Sequence, residues 1–265
     1  MKILGILNIT EDSFSDGGKF LAADVAITQA EKLVADGADA IDIGAASSNP
    51  NAKPVAPETE IMRLAAVLPA LQAKGIPLSI DTFNPAVQRF ALAQRVEYLN
   101  DIHGFPDAAL YPALAESNAN LIVMHMVQAE GVALRTDVPP AEIFARVIAF
   151  FDARIATLTG AGIARERLIL DPGMGQFVGA DPQNSLILLR RLPELKARYG
   201  LPVLISVSRK GFLRKLTGRP IEAIGPATLA AELFAVAQGA DIIRTHDPAS
   251  LRDGLKILES LKEPR

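Results

Sequence analysis

Eight apolar runs rich in β-branched residues each end abruptly in a polar residue, and this regularity constrains the fold more than any other feature. Continuous apolar runs indicate strands that are buried on both faces, as parallel sheets require. Segments with helical spacing separate the runs, so 265 residues give the length and rhythm of an α/β chain folded as one (β/α)8 barrel domain, residues 1–265. The polar endings are Asn8, Asp42, Asp81, Asn100 with Asp101, His125, Asp171, Ser208 with Arg209 and Lys210, and Arg244 with His246.

Composition limits the partners and the compartment. Hydrophobic residues make up 49% of the chain, which is enough for one large core. The net charge is -3 and there is no Lys/Arg tract, so we expect no nucleic-acid partner. No apolar run reaches the roughly 18 residues of a membrane span, and the first run is expected to be a strand rather than a secretory signal. The absence of cysteine excludes disulfides, thiolate metal sites and a cysteine nucleophile, and favours the cytoplasm.

The elements between the strands are predicted from periodicity and from helix signals. The first helix is expected over 24–35 with Asp24 as its N-cap, and a longer amphipathic helix over 140–158. The segment 44–57 is long and contains three prolines, which is typical of functional or mobile loops. Two helices are expected after strand seven, near 210–216 and 227–238.

Carboxylates and an amide at strand ends form the first candidate site. In (β/α)8 barrels the active site lies at the carboxyl ends of the strands, so these side chains should meet at one mouth. Carboxylates aligned in this way suit a ligand with N–H groups along one edge, such as an aminopyrimidine or a pterin ring. The alternative is that one or two of them only cap a helix or fix a loop. The members are Asp81, Asn100, Asp101 and Asp171.

Basic residues after the last two strands form a candidate anion site. Barrels often bind phosphate near strands seven and eight, and cations there suit a phosphate or diphosphate. The alternatives are a solvated basic turn for the first group and a packed structural histidine in the second. The two groups are Ser208, Arg209 and Lys210, and Arg244 with His246.

Asn8 and His125 are weighed separately. An amide oxygen after strand one could bind Mg²⁺, which takes few protein ligands beside substrate phosphates, although a turn-forming asparagine is the simpler interpretation. His125 is either a ligand or, more commonly, a buried core histidine. Neither His103 nor His125 has HxxxH spacing, which argues against zinc.

Seven motifs, taken together, resemble dihydropteroate synthase of folate biosynthesis, and they occur in that family's order over nearly the whole chain. The motifs are GILNITEDSFSDGG (5–18), IDIGAASSNP (41–50), SIDTFNP (79–85), LNDI (99–102), LDPGMG (170–175), SRKGFL (208–213) and IRTHD (243–247).

The resemblance implies a reaction and roles for residues. The family joins para-aminobenzoate to a dihydropterin that carries a 6-hydroxymethyl diphosphate, and it is understood to lose diphosphate before the arylamine attacks. Asp81, Asn100, Asp171 and Lys210 would hold the pterin; Arg244, His246 and Ser48 would bind the diphosphate, beside Ser208 and Arg209; and Asn8 would bind Mg²⁺ through the diphosphate. Catalysis would rest on Asp81, Asp171, Lys210, Arg244 and His246. The resemblance also implies a homodimer.

Departures from the family pattern point to a subgroup. Ser48, Asn49 and Pro50 stand where Thr-Arg-Pro is usual, and the stretch Gly104–Pro112 is not typical. Both features resemble the plasmid-borne sulfonamide-resistance synthases, so reduced sulfonamide sensitivity is expected, with Phe105 as the excluding element near the aminobenzoate site. Gln176 before Phe177 and Gly211 in place of serine also depart from the usual pattern.

Two other functions stay open at this point. A pterin-binding domain of a corrinoid methyltransferase would share the barrel and the Asp/Asn contacts, but the basic residues after strands seven and eight favour a diphosphate. An inactive paralogue would usually lose the charged rim residues, which are all present here. Fold alone does not separate these functions.

Overall fold

The computed structural model describes residues 1–9, 19–46, 54–128 and 137–261, in which parallel strands alternate with helices. The strands are β1 Lys2–Asn8, β2 Ala40–Gly44, β3 Leu78–Asp81, β4 Tyr98–Asp101, β5 Asn120–Met124, β6 Leu168–Asp171, β7 Leu204–Ile205 and β8 Ile242–Thr245. The helices are α1 Lys19–Ala35, α2 Pro57–Ala73, α3 Pro85–Ala93, α4 Tyr111–Glu116, α5 Pro140–Gly160, α6 Pro182–Arg190, α7 Leu192–Tyr199, α8 Gly211–Thr217, α9 Gly225–Ala237 and α10 Pro248–Ser260.

The strands form one parallel sheet that closes into a barrel. Their order is β6-β5-β4-β3-β2-β1-β8-β7. A parallel bridge between Leu170 and Val203 joins the two outer strands, and the amide of Leu170 donates to the carbonyl of Pro202 at 2.9 Å. The predicted (β/α)8 barrel is therefore confirmed.

The register of the strands places their polar ends side by side. Gly44 is the partner of both Asn8 and Asp81, and Asp81 is in turn the partner of Asn100. On the other side, Met124 pairs with Asp171. Since neighbouring strands end at the same level, their last side chains share one rim, which is the rim on which (β/α)8 enzymes build their active sites.

Apolar side chains fill the barrel and the space between the barrel and its helices. One cluster inside the barrel takes a residue from each of seven strands, namely Leu4, Ala40, Tyr98, Ile122, Ile169, Leu204 and Ile242. A larger cluster packs the outer faces of the strands against the helices. Each fully buried Leu, Ile or Phe stabilises the fold by about 1.5–3 kcal/mol, so this scaffold is rigid enough to position the rim.

Three predictions about elements were incorrect in detail. Helix α1 begins at Lys19, so Asp24 lies inside it and is not an N-cap. Strand β7 is only two residues long, although the apolar run before Ser208 predicted a strand that continues to that residue. Helices α4, α6 and α7 were not predicted, because short helices give too few turns for a clear periodicity. Within the described ranges, no helix is long and apolar enough to cross a membrane.

Candidate active site

The carboxyl ends of the strands enclose a small cavity in the barrel mouth. Side chains from β3, β4, β6 and β8 and from the turn after β7 line its polar part, as the sequence predicted. The lining comprises Asp81, Asn100, Asp171, Ser206, Lys210 and Arg244, together with Ile102, Met124, Met174 and Phe177. This set combines two carboxylates, an amide and two cations, with an apolar wall of methionine, isoleucine and phenylalanine.

Arg244 crosses the mouth between two carboxylates. Its Nε donates to Oδ2 of Asp42 at 2.5 Å, and its Nη2 donates to Oδ2 of Asp81 at 2.6 Å. Burial alone would lower the pKa of Arg244, but Asp42 and Asp81 raise it above its ordinary value. The guanidinium is thus a fixed cation. The sequence predicted no role for Asp42, although its position at the end of an apolar run indicated that it lies at the mouth.

Burial raises the pKa of both carboxyl groups that line the mouth, Asp81 and Asp171. Burial raises the pKa of Asp81 to about 6, against the opposing effect of Arg244. Burial likewise raises the pKa of Asp171 to about 6, although its Oδ1 accepts a hydrogen bond from the amide of Gly173 at 2.8 Å. A ligand that offers N–H donors to these carboxylates would stabilise their charged form.

Lys210 faces both carboxylates and an aromatic ring. Burial lowers the pKa of Lys210 to about 8, helped by Arg244 and opposed by Asp171 and Asp81. Its Nζ lies 4.5 Å from the ring centroid of Phe177, within the range of a cation–π interaction. Lys210 also precedes α8, which begins at Gly211, and a side chain at Gly211 would meet nothing within 4 Å.

His246 is paired with Ser208 beside the mouth. The hydroxyl of Ser208 lies 2.9 Å from Nδ1 of His246, and the backbone amide of His246 donates to the same hydroxyl at 3.2 Å. Burial lowers the pKa of His246 to about 3, with further lowering from Arg209, Arg244 and Lys210. The imidazole is therefore neutral at pH 7 in the free protein, and Nε2 is the ring nitrogen left for a ligand.

Arg209 does not join the mouth. It is exposed, has a positive φ of 58° and donates its amide to Oγ1 of Thr228 at 3.4 Å. Its neighbourhood is a second cavity of about 460 Å³ between the turn after β7, α9 and the start of α10. The predicted group 208–210 is therefore divided between two cavities.

Asp101 and His125 are structural. The carboxylate of Asp101 accepts from Gln88 Nε2 at 2.8 Å and from the amides of His103 and Phe105 at 2.8 and 3.0 Å. His125 is buried, and its Nδ1 lies 3.1 Å from the carbonyl of Pro172. Burial lowers the pKa of His125 to about 4. Asp101 therefore fixes a loop and His125 is a buried core histidine, which are the simpler of the alternatives that the sequence left open.

Phe105 does not line the mouth cavity, and its role as a substrate contact stays a prediction from the sequence. Its side chain is 0% exposed and belongs to the core between strands and helices. Gly104 and Phe105 have φ values of +67° and +61°, and Asp101 ties this left-handed turn down, so the ring points inward. Phe177 is the aromatic residue that lines the cavity, and the sequence signal was its place just after the motif ending at Gly175.

Asn8 ends β1 with an exposed side chain. Its Oδ1 lies 3.3 Å from the position that a Cβ on Gly44 would take, which places it on the same rim. No group of three or more His, Asp or Glu side chains within the described ranges could hold a metal. This donor set fits Mg²⁺ only when substrate phosphates and water supply most of the ligands. Ser48 lies outside the described residues.

The comparisons with known proteins agree with this geometry. The model of the family described as pterin binding enzyme matches residues 4–246. Dihydropteroate synthase type-2 of Escherichia coli is 62% identical over 261 residues, which cover 98% of this chain and 96% of that protein.

Solved structures show the same architecture. Dihydropteroate synthase of Xanthomonas albilineans with 4-aminobenzoic acid has a TM-score of 0.89 at 35% identity and covers 100% of this chain and 94% of its own. The same enzyme in complex with 7,8-dihydropteroate has a TM-score of 0.85 at 34% identity, with the same coverage.

The fold and the rim thus define a pterin-binding (β/α)8 enzyme, and the chain belongs to that family. Within the family it falls among the dihydropteroate synthases, which are transferases. Dihydropteroate synthases condense 6-hydroxymethyl-7,8-dihydropterin diphosphate with para-aminobenzoate, and the products are 7,8-dihydropteroate and diphosphate.

Proposed function

We propose that the mouth cavity holds the pterin through Asp81, Asn100, Asp171 and Lys210, and that Arg244 and His246 bind the diphosphate. The observation that carries this assignment is a pair of buried polar atoms, Oδ1 of Asn100 and Oγ of Ser206, which have no hydrogen-bond partner and line the same cavity. Leaving such a group unsatisfied costs about 1–3 kcal/mol, so a ligand with ring N–H and carbonyl groups is stabilised there.

The departure of diphosphate is assisted by the cations of the rim. Breaking the bond between the pterin methylene carbon and the diphosphate oxygen leaves negative charge on the diphosphate. Arg244 supplies a permanent positive charge on one side, and Nε2 of His246 supplies a hydrogen-bond donor on another. Stabilisation of developing charge by groups fixed in advance is usually the largest catalytic contribution.

The electron-poor pterin and the arylamine complete the reaction. Asp81 and Asp171 stabilise the pterin cation, because their charged forms are favoured by positive charge nearby. The arylamine nitrogen then bonds to the methylene carbon and loses a proton. An arylamine is already a free base at neutral pH, so no residue of tuned pKa is needed to activate it.

Mg²⁺ is proposed as a partner of the substrate rather than of the free protein. Asn8 would contribute its amide oxygen, beside diphosphate oxygens and water. When bound, the ion supplies additional positive charge to the leaving diphosphate.

The assignment of the pterin site is tested by steady-state diphosphate release with Asp171→Asn. The amide keeps the hydrogen bond from Gly173 but has no charge for the pterin cation, so kcat/KM should fall about 100-fold, in line with the loss of one preorganised contact. Asp253→Asn, an exposed carboxylate on α10, is the control. An Asp171→Asn enzyme with the wild-type kcat/KM would contradict the assignment.

Reduced sulfonamide sensitivity is proposed on the subgroup features, with Phe177 in place of Phe105 as the excluding residue. Sulfonamides share the arylamine of para-aminobenzoate but carry a bulkier group at the other end. Phe177 lines the mouth, packs with Ile102, Met124 and Met126, and lies under the Lys210 ammonium. Its ring is therefore held in place where it can narrow the cavity.

Sulfonamide inhibition constants of two variants test this proposal. Phe177→Ala should lower the inhibition constant at least ten-fold while the KM for para-aminobenzoate changes less. Phe105→Leu, a substitution in the core, should leave the ratio of the two constants unchanged. The opposite pattern, with sensitivity gained only in Phe105→Leu, would contradict the role of Phe177 and support the role that the sequence predicted for Phe105.

A homodimer and a cytoplasmic location are proposed on the family resemblance and the absence of cysteine. Exposed apolar side chains on the two helices that follow β7 and β8 support a dimer, since Phe234 on α9 is 41% exposed and Ile257 on α10 is 62% exposed. Light scattering should give twice the chain mass, and Ile257→Asp should shift it towards the monomer. A wild-type monomer at micromolar concentration would contradict the dimer.

A further inference from the structure

We propose that Gln88, on α3 outside the barrel, is a positioning residue that fixes the spacing of the pterin-binding pair Asp81 and Asn100. The inference rests on the proposed role of that pair. It begins from an unusual placement, because Gln88 is only 1% exposed, whereas glutamine is mostly a surface residue. A buried amide is costly unless its hydrogen bonds are made, so its partners indicate what it does.

One nitrogen of Gln88 bridges the ends of two strands. Its Nε2 donates to the carbonyl of Thr82, the residue after β3, at 3.0 Å. The same Nε2 donates to Oδ2 of Asp101, the last residue of β4, at 2.8 Å. A primary amide carries two N–H donors, so one planar group can serve both acceptors. Since all three residues are buried, the amide is a cross-link between β3 and β4 that is made from α3.

This cross-link lies one residue beyond the pterin ligands. Asp81 and Asn100 are register partners in β3 and β4, and both line the mouth cavity. The amide of Thr82 donates to the carbonyl of Asn100 at 3.0 Å, which extends the pairing by one bond. Successive residues of a strand face opposite sides, so Thr82 and Asp101 face the helices while their neighbours face the mouth. A change in the distance between Thr82 and Asp101 would therefore change the spacing of the two ligands.

Further hydrogen bonds fix both acceptors of the cross-link. Oγ1 of Thr82 donates to Oε2 of Glu60 on α2 at 3.2 Å, and Oδ2 of Asp101 also accepts the amide of Phe105 at 3.0 Å. Burial raises the pKa of Asp101, and the hydrogen bonds that it accepts, including the one from Gln88, oppose that rise. Glutamine supplies its two donors without adding a charge that would compete with the cations of the mouth.

The test compares Gln88→Met with Gln72→Met. Methionine keeps the length of the side chain but donates no hydrogen bond. Gln72 is the matched control, because its Nε2 donates to the carbonyl of Gln94 at 2.7 Å, at the carboxyl ends of α2 and α3 and away from the mouth. Calorimetry measures the affinities for 6-hydroxymethyl-7,8-dihydropterin and for inorganic diphosphate, kinetics measures KM and kcat, and thermal unfolding monitors the fold.

Gln88→Met should weaken dihydropterin binding about ten-fold and raise KM for the dihydropterin diphosphate, because the two ligands no longer match the edge of the ring. The affinity for inorganic diphosphate should stay within about two-fold of wild type, since Arg244 is also held by Asp42. Gln72→Met should leave both affinities unchanged.

Two more variants separate positioning from a general loss of stability. Ile143→Val removes one methyl group from the core under α5, so it should lower the unfolding temperature without changing the ratio of the two affinities. Gln88→Asn keeps both donors but withdraws them by one methylene group, and it provides the same comparison if Gln88→Met does not fold. It should lose part of the dihydropterin affinity and keep the diphosphate affinity.

Two results would overturn the inference. These are an unchanged dihydropterin affinity in the folded Gln88 variants, or equal losses of dihydropterin and diphosphate affinity. Asn100→Ala distinguishes this failure from a failure of the proposed function. If Asn100→Ala loses dihydropterin affinity and Gln88→Met does not, only the positioning role is wrong; if Asn100→Ala also keeps it, the assignment of the pterin site is wrong, and the positioning role is wrong with it.

Discussion

At the scale of single residues, the most consequential arrangement is one arginine shared by two carboxylates in the mouth. The side chains of Arg244, Asp42 and Asp81 are 14%, 0% and 20% exposed, so the three groups form a mostly buried ion cluster. Removing one member of a buried ion pair is more damaging than replacing all members, because the remaining charge stays buried.

Arg244→Ala should therefore lower the free energy of unfolding by about 3 kcal/mol at pH 8. The loss should be smaller at pH 5, because Asp81, whose pKa burial raises to about 6, can then take up a proton and no longer leaves a buried negative charge without a cation. Denaturant unfolding at the two pH values measures this difference. Arg146→Ala removes an exposed ion pair with Glu142 and should change stability little. An equal loss for Arg244→Ala at both pH values would contradict the account.

The carboxylate of Asp171 lowers the stability of the folded protein at neutral pH, although we propose that activity requires it. Its pKa is raised to about 6 in the folded protein, from an ordinary value near 3.8. The folded state thus binds more protons than the unfolded chain between about pH 4 and 6, and the contribution of Asp171 to stability falls as the pH rises through that window.

Asp171→Asn should accordingly be more stable than wild type at pH 7, by about 1–2 kcal/mol, while being a poorer enzyme. Near pH 4, where wild-type Asp171 is protonated, the two proteins should be equally stable. Urea unfolding across this range shows the effect. A variant that is less stable than wild type at pH 7 would show that the carboxylate is satisfied without a ligand.

At the scale of elements, the turn after β6 carries the apolar wall of the mouth. Gly173 has a φ of +75°, and a Cβ there would overlap the carbonyl oxygen of His125. The amide of Gly175 donates to Oγ of Ser185 at 2.9 Å, and the amide of Val127 donates to the carbonyl of Phe177 at 2.9 Å. Hydrogen bonds thus hold the turn against α6 and against the segment that follows β5.

Gly173→Ala should lower both stability and turnover, because the turn must move away from β5 and take Met174 and Phe177 with it. Gly200→Ala is the matched control: its φ is +61°, but a Cβ there meets nothing within 4 Å. The control should cost only about 1 kcal/mol of backbone strain and leave turnover unchanged. Thermal unfolding and kcat are measured for both variants. Equal losses in Gly173→Ala and Gly200→Ala would contradict the predicted overlap with the carbonyl oxygen of His125.

The elements also show what the sequence could and could not predict. Apolar runs and their polar ends predicted all the strands and most of the rim, since burial on both faces leaves a clear pattern. Side-chain direction was less predictable. Phe105 and Phe177 both follow a glycine-containing motif, but only the turn held by Asp101 decides that Phe105 points into the core.

Contacts between distant elements were likewise out of reach from the sequence. Asp42 and Arg244 are 202 positions apart, so their ion pair forms only when β2 and β8 have come together in the closed barrel. Asp24 failed as a helix cap because a single residue type is a weak signal beside good helix formers such as Leu21 and Ala22.

At the scale of the whole molecule, one closed sheet brings residues from positions 8 to 246 to a single rim. Closure depends on the bridge between β6 and β7, which also sets Asp171 near the turn that carries Lys210. The mouth cavity is where we propose that the substrates bind, and the second cavity lies between the turn after β7, α9 and the start of α10.

The most direct test of the central claim is a crystal structure of the protein with 7,8-dihydropteroate. The account predicts the pterin ring in the mouth cavity, with its amino edge on Asp171 and a ring N–H within hydrogen-bond distance of Oδ1 of Asn100. A pterin bound elsewhere, or one in the mouth that leaves Asn100 and Asp171 without ligand contacts, would contradict it.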